Sequence, residues 1–301
     1  MTRVLVLGGT GMVGHKLWQV LRERLDTHVT VRGERCPLSG FFDPARTRTG
    51  VSVERIDTVE AAIDEVRPTV VVNAIGLIRQ HPRCADVAEA VAIDGLFPHR
   101  LHRMCRRRGL RLVHISTDCV FSGRRGGYRE DDLPDPLDVY GRAKLAGEPQ
   151  GEGALSLRVS AIGRELRGRR GLLEWVLAQR EEAPGYTRAV FNGLTTAALA
   201  ELVARIVEGG TPVEGLRHAG GEPISKAALL ERLSAALGLG LRVVPDATVA
   251  HDRSLDPGRL VAETRWSAPS WAAMIEALAR DPTPYPALQA EAERTFEEEC
   301  R

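Results

Sequence analysis

The sequence lacks any run of about 20 apolar residues, the length a membrane helix needs. It lacks an excess of either charge as well: 41 lysines and arginines stand against 40 acids, a formal net of +1. That balance gives no reason to expect nucleic acid or a membrane as partner, although a local basic pocket for a phosphorylated small molecule is compatible with it. Aromatics are scarce at 5%, and none interleave with the cluster Arg164, Arg167, Arg169 and Arg170, which reads as a solvated face or pocket rim. The five cysteines, Cys36, Cys84, Cys105, Cys119 and Cys300, are odd in number, scattered and without a CxxC pair. They read as free thiols in a reducing cytoplasm. Residues 1–7 are too short for a secretory apolar segment, and glycines follow at once, so a cytoplasmic location is expected. With 43% hydrophobic residues over 301 positions, the chain is long enough for one large or two medium domains with a real core, and disorder throughout is excluded.

What the sequence does hold is alternation. Short runs at 4–7, 28–31, 51–56, 69–74 and 111–115 read as strands, that at 69–74 rich in β-branched residues, with a sixth at 154–162. Helical spacing separates them at 12–25, 59–66 and 85–108, the last interrupted by Gly95 and Pro98. Strands alternating with helices predict an α/β protein with a Rossmann-type, doubly wound parallel sheet. After residue 163 the pattern loosens. Helices are expected at 172–179, 196–207, 224–237 and 271–279, a small strand at 241–244, and a terminal helix or frayed tail over 283–301. We therefore divide the chain into a dinucleotide-binding domain over 1–163, with 190–212 returning to it, and a smaller mixed α/β substrate-binding region over 164–301.

Gly8-Gly9-Thr10-Gly11-Met12-Val13-Gly14 lies between the first strand and first helix, the context in which a GxxGxxG spacing is informative. Gly8 permits the turn, Gly11 lets backbone approach a pyrophosphate, and Gly14 lets helix and strand pack closely. Thr10, Met12 and Val13 complete the loop at a helix N-terminus suited to phosphate. After the second strand stands Arg32, with Arg35 close behind, where an acid would favour NAD. Arginine pairs with a 2′-phosphate, so NADPH is expected over NADH. Asp57, a candidate acceptor for an adenine amino group or an N-cap, and Thr58 follow the third strand. Asn73, Ala74, Ile75 and Gly76 end the fourth strand and Ser116 stands near the end of the fifth; all join the expected cofactor contacts.

Tyr140 and Lys144 are four apart on an expected helix and so share a face. A nearby ammonium is expected to lower the phenol pKa towards neutrality. Thr117 ends the fifth strand, where open α/β sheets place ligands, and its hydroxyl can hydrogen-bond a carbonyl oxygen that gains charge. His81 beside Cys84 lacks a converging carboxylate, so no metal site is expected.

The glycine loop, Ser116-Thr117-Asp118-Cys119-Val120-Phe121-Ser122-Gly123, and Tyr140-Gly141-Arg142-Ala143-Lys144 together resemble an extended short-chain dehydrogenase/reductase. Within that group the sequence is most similar to the dTDP-4-dehydrorhamnose reductase (RmlD-like) family acting on nucleotide sugars. The resemblance is strong over 4–163 and weaker at 191–195, 220–230 and 269–271. It implies that Tyr140 protonates the developing alkoxide, that Lys144 binds the nicotinamide ribose and tunes Tyr140, and that Thr117 orients the substrate carbonyl. Tyr140 and Lys144 thereby also contact the cofactor. The implied reaction is NADPH-dependent reduction of the 4-keto group of a nucleotide-activated 4-keto-6-deoxyhexose. Expected substrate contacts are Arg79, Gln80, Thr117, Asp118, Cys119 and Phe121, with Tyr140, Ser160, Trp175 and Asn192 further along. Two departures stand out. Asp94 occupies a position where relatives often carry asparagine, and Cys119 replaces the glutamate that follows Asp in sugar dehydratases, which favours simple reduction. The alternatives are an epimerase, a reductase of another carbonyl, or a non-catalytic NADP-binding regulatory subunit. Oligomeric state is open, a homodimer among the choices.

Overall fold

Alternate side chains of the first strand, β1 (Arg3–Leu7), enter two different apolar clusters: Val4 and Val6 join one, Leu5 and Leu7 the other. A strand buried on both faces needs cover on both faces, and the chain provides it by alternation. In the computed structural model, which describes residues 2–36, 38, 40–210 and 212–299, β1 leads into α1 (Met12–Leu21), β2 (Asp26–Thr30), β3 (Thr47–Arg48), α2 (Ile56–Val66) and β4 (Val70–Asn73). Next come α3 (Val87–Ala90), a π-helical segment (Val91–Leu96), α4 (Phe97–Arg107), β5 (Arg111–Thr117), α5 (Val139–Ala146) and β6 (Ala154–Val159). The later chain runs through β7 (Ala161–Ile162), α6 (Leu172–Ala178), β8 (Glu182–Phe191), β9 (Leu194–Thr195), α7 (Thr196–Glu208) and β10 (Gly215–His218). It ends with β11 (Ile224–Ser225), α8 (Lys226–Ala236), β12 (Arg242–Asp252), α9 (Gly258–Thr264), α10 (Trp271–Ala279) and α11 (Tyr285–Glu299).

Seven strands form one parallel sheet in the order β10-β6-β5-β4-β1-β2-β3. The order reverses between β1 and β4, which opens a crevice at their carboxyl ends. Leu17, Trp18 and Leu21 of α1 pack with Leu199, Leu202 and Ile206 of α7 over one face. Ile63 and Val66 of α2 pack with Phe97 and Leu101 of α4 over the other. A smaller mixed sheet, β11-β8-β12, has β11 antiparallel and β12 parallel to β8. The architecture is thus the Rossmann-type α/β fold expected, with the smaller mixed α/β unit towards the C-terminus.

Several expected elements move. The third strand is at Thr47–Arg48, and residues 51–55 are a loop: Val51 and Gly50 donate to the carbonyls of Val31 and Gly33, and the Thr58 hydroxyl accepts from Ser52 N–H. The 85–108 helix is broken by a π-helical turn. Pro98 has no N–H to give the carbonyl of Asp94, and Phe97 N–H reaches back five residues to Ala92. Residues 224–225 are a strand before α8, and the 241–244 strand extends to Asp252. The strands β8 and β10 and the helix α9 were not anticipated; β8 carries Pro184 and Gly185 and shows no apolar run. Trp271 is core, its indole N–H bonded to the Glu222 carbonyl at 2.8 Å. Among the described residues no helix is long and apolar enough to cross a membrane. None of Cys36, Cys84, Cys105 and Cys119 is in a disulfide; Cys300 lies outside the described residues.

Candidate active site

The crevice between β1 and β4 is lined by Gly8, Thr10, Gly11, Arg32, residues 51–54, Ala74, Ile75, Gly76, His81 and Arg83. The glycine loop forms its floor. Gly8 has φ +86°, and its N–H donates to the Thr30 hydroxyl at 3.2 Å. A Cβ on Gly14 would lie 2.0 Å from the Gly8 carbonyl oxygen, so only glycine lets α1 start this close to β1. Gly11 is the N-cap of α1 and offers no side-chain bond to the helix, which leaves the first N–H groups, at Met12, Val13 and Gly14, without an internal partner. A half-buried cradle of backbone donors open at a helix start fits a pyrophosphate.

Around this floor the expected cofactor residues divide. Arg32 stands exposed on the rim and lines the crevice; Arg35 is exposed and does not line it. Asp57 is exposed in the first turn of α2 and is not its N-cap, because the helix begins after Arg55. Thr58 serves the loop: its hydroxyl donates to the Arg55 carbonyl at 2.6 Å and accepts from Ser52 N–H at 3.0 Å. Residues 51–54 line the crevice where Asp57 and Thr58 were expected. Asn73 is fully buried; its Oδ1 accepts from Ile75 N–H at 3.1 Å and its amide donates to His114 Nδ1 at 3.0 Å, so it shapes the loop from beneath. Ser116 is likewise committed, donating to Glu148 at 2.6 Å.

At the end of β5, Thr117 caps a short helical turn, its hydroxyl accepting from Cys119 N–H at 3.1 Å and donating to Asp118 at 3.2 Å. The Tyr140 phenol neighbours that hydroxyl. Asp138 caps α5 by accepting from Gly141 N–H at 2.8 Å and ion-pairs with Arg79 at 2.8 Å, which ties the loop after β4 to the helix carrying Tyr140. One turn on, Lys144 is buried. Its ammonium donates to the Ile115 carbonyl at 2.8 Å and lies 4.0 Å from Asp94 Oδ1. Thr117, Tyr140 and Lys144 therefore converge where α5 crosses the end of β5.

The electrostatics correct one expectation. Burial, with the Asp94 carboxylate adding to it, holds the Tyr140 phenol well above the ordinary tyrosine value. Burial lowers the Lys144 ammonium, with Asp94 and Glu148 opposing. The ammonium is directed to Ile115 and Asp94, so it does not lower the phenol here; the phenol is held as the proton-bearing form. Cys119 is pushed up to about 12, chiefly by burial, and stays a thiol.

On the substrate side, Asp118 and Cys119 follow Thr117 in the turn it caps, Gln80 is exposed on the loop carrying Arg79, Ser160 is half-buried after β6, and Trp175 is exposed on α6. Two expected contacts are committed to packing. Phe121 is fully buried and stacks on Tyr128 at 4.1 Å with Arg158 over its ring. Asn192 is buried with all its bonds used: its amide donates to the Gly221 and Leu255 carbonyls at 3.1 and 2.7 Å, and its oxygen accepts from Leu255 N–H at 2.9 Å. The reading missed Lys226 at the start of α8. Its ammonium sits 3.6 Å over the Phe191 ring, forms no ion pair among the described residues, and is pulled down to about 8 by burial against the opposing charge of Asp118. Arg253 and His251 share that neighbourhood, Arg253 donating to the Phe121 carbonyl at 3.0 Å. Ser225, which caps α8 by accepting from Ala228 N–H, is a signal that marks the helix start next to Lys226. Among the described residues no group of three His, Cys, Asp or Glu side chains could hold a metal.

The family described as RmlD substrate binding domain matches residues 1–163. Among curated proteins, the chain is 35% identical over 149 residues to the dTDP-4-keto-6-deoxy-D-glucose reductase of Streptomyces niveus, 48% of this chain and 46% of that one. It is 30% identical over 171 residues to the methionine adenosyltransferase 2 subunit beta of Xenopus laevis, 53% of this chain and 47% of that one. These matches span a little under half the length of those relatives. Among solved structures, the dTDP-4-dehydrorhamnose reductase of Bacillus anthracis in complex with NADP superposes with a TM-score of 0.76 at 21% identity, covering 92% of this chain and 99% of that one.

Proposed function

The chain belongs to the RmlD substrate binding domain family, among the extended short-chain dehydrogenase/reductases, and from that premise we propose that it is an NADPH-dependent reductase of a nucleotide-linked 4-keto-6-deoxy sugar. The observation that carries this reading is the meeting of Thr117, Tyr140 and Lys144 beside the glycine-loop crevice. The open N-terminus of α1 and backbone of the glycine loop would hold the pyrophosphate, and Arg32 at the rim would take the 2′-phosphate. When bound, the nicotinamide would supply hydride to the carbonyl carbon. Thr117 orients the carbonyl oxygen. Tyr140, protonated at neutral pH, gives its proton to the oxygen as the C–H bond forms, yielding the hydroxyl. Lys144 would hold the nicotinamide ribose. Lys226 and Arg253, cations next to Asp118 and Cys119, fit the phosphates of a nucleotide sugar.

The test is a panel of nucleotide 4-keto-6-deoxy sugars with NADPH, followed by loss of nicotinamide absorbance and product analysis. Stoichiometric NADPH oxidation with a 4-hydroxy product is expected. Conversion without net oxidation points to an epimerase. The relative named as subunit beta of methionine adenosyltransferase 2 favours a second reading, a cofactor-binding regulatory subunit. NADPH binding with no turnover across the panel supports it.

A further inference from the structure

Asp94 is fully buried at the floor of the site. It comes from the π-helical segment, whose extra residue turns its side chain under the loop that follows β4. Oδ1 accepts from Leu77 N–H at 3.1 Å and faces the Lys144 ammonium at 4.0 Å; Oδ2 is buried with no hydrogen-bond partner. The pair lies directly below the crevice: a Cβ on Gly76, a crevice residue, would stand 2.8 Å from Asp94 Oδ1 and 3.4 Å from Lys144 Nζ. Lys144 and Tyr140 face the carboxylate from α5, and Cys84 from the helical turn before α3. Glu148 and His114 sense Lys144 from the end of α5 and from β5. Lys144 is the one cation within ion-pair distance of Asp94 among the described residues.

We propose that Asp94 is a positioning residue whose negative charge holds the Lys144 ammonium beneath the cofactor crevice, so that NADPH binding depends on the ionisation of this one buried carboxyl. The inference rests on reading Lys144 as the ribose-side cation. An unpaired ammonium in a buried site neutralises readily, and a carboxylate at 4.0 Å opposes that. Desolvation pushes the Asp94 carboxyl up to about 6, with Lys144 and Leu77 opposing, so the switch falls within an ordinary assay range. Asp94→Asn keeps an acceptor for Leu77 N–H and removes only the charge.

Dissociation constants for NADPH, measured by fluorescence titration from pH 5 to 9, separate charge from shape. Wild type is expected to bind NADPH about 3- to 10-fold more tightly than Asp94→Asn at pH 8 and equally at pH 5, where the native carboxyl is itself neutral. The titration of the NADPH phosphates affects both proteins alike and cancels in the ratio. Asp94→Ala, which also loses the Leu77 bond, is expected to be weaker at every pH. A ratio between wild type and Asp94→Asn that stays constant across the range overturns the proposal. The readout needs no sugar substrate, so a failed turnover panel leaves this test intact.

Discussion

Two buried cation–carboxylate pairs sit near the C-terminal end of α5 and differ in completeness. Arg158 and Glu148 are joined by two bonds, at 2.8 and 2.7 Å. Glu148 also accepts from Ser116, and Arg158 reaches His218 Nε2 at 3.3 Å, whose Nδ1–H donates to the Tyr128 carbonyl at 3.0 Å. Lys144 and Asp94 stand 4.0 Å apart, with one carboxylate oxygen unbonded. The first arrangement satisfies its groups and ties α5, β6 and β10 together. The second leaves hydrogen-bonding capacity unused beneath a crevice. A closed network supports structure; an unfinished one beside Tyr140 supports chemistry.

The sharpest way to break this contrast is to remove one cation from each pair. Arg158→Ala leaves Glu148 buried alone and is expected to lower stability by about 3–5 kcal/mol in denaturant unfolding. Lys144→Met leaves Asp94, which can take a proton, and is expected to change stability by about 1 kcal/mol or less while reducing turnover by roughly 10²- to 10⁴-fold. Equal losses of stability in the two variants would erase the distinction.

Acid titration sharpens it. Burial, then Arg158, holds His218 down at about 4, so the unfolded chain binds the extra proton first. His218 therefore contributes stability that is full above about pH 6.5 and lost as pH falls towards 4, up to about 3 kcal/mol. Asp94, raised to about 6, has the opposite sign: its burial cost lessens as pH falls through that value. Melting temperatures from pH 7 to 4 are expected to fall less steeply in His218→Gln and more steeply in Asp94→Asn than in wild type.

The sheet was legible because β1 and β4 are short apolar runs that close on Gly8 and Asn73 and are buried on both faces. Tyr140, Lys144 and Thr117 were legible because one helical turn and one strand end fix their placement. Asn192 and Phe121 misled because a side chain's partners come from distant segments. The atoms that saturate Asn192 belong to Gly221 and Leu255, and the ring that covers Phe121 belongs to Tyr128. Lys226 escaped notice for the same reason: only the fold brings the start of α8 towards Asp118. The mixed sheet was hidden because β12 is an edge strand tolerating Pro245, and β8 alternates irregularly.

A further effect is expected at the crevice rim, away from both pairs. Arg32→Ala is expected to lower the preference for NADPH over NADH by about 10-fold, equivalent to ~1.4 kcal/mol, in the ratio of kcat/KM values. An unchanged ratio would take Arg32 out of cofactor selection.

Tyr140→Phe bears most directly on the whole account, because it deletes one proton donor from the meeting point with Thr117 and Lys144 and little else. Single-turnover NADPH oxidation with a saturating nucleotide 4-ketosugar is expected to slow at least about 100-fold, with NADPH affinity within about threefold of wild type. Oxidation at the wild-type rate in that variant would contradict the account.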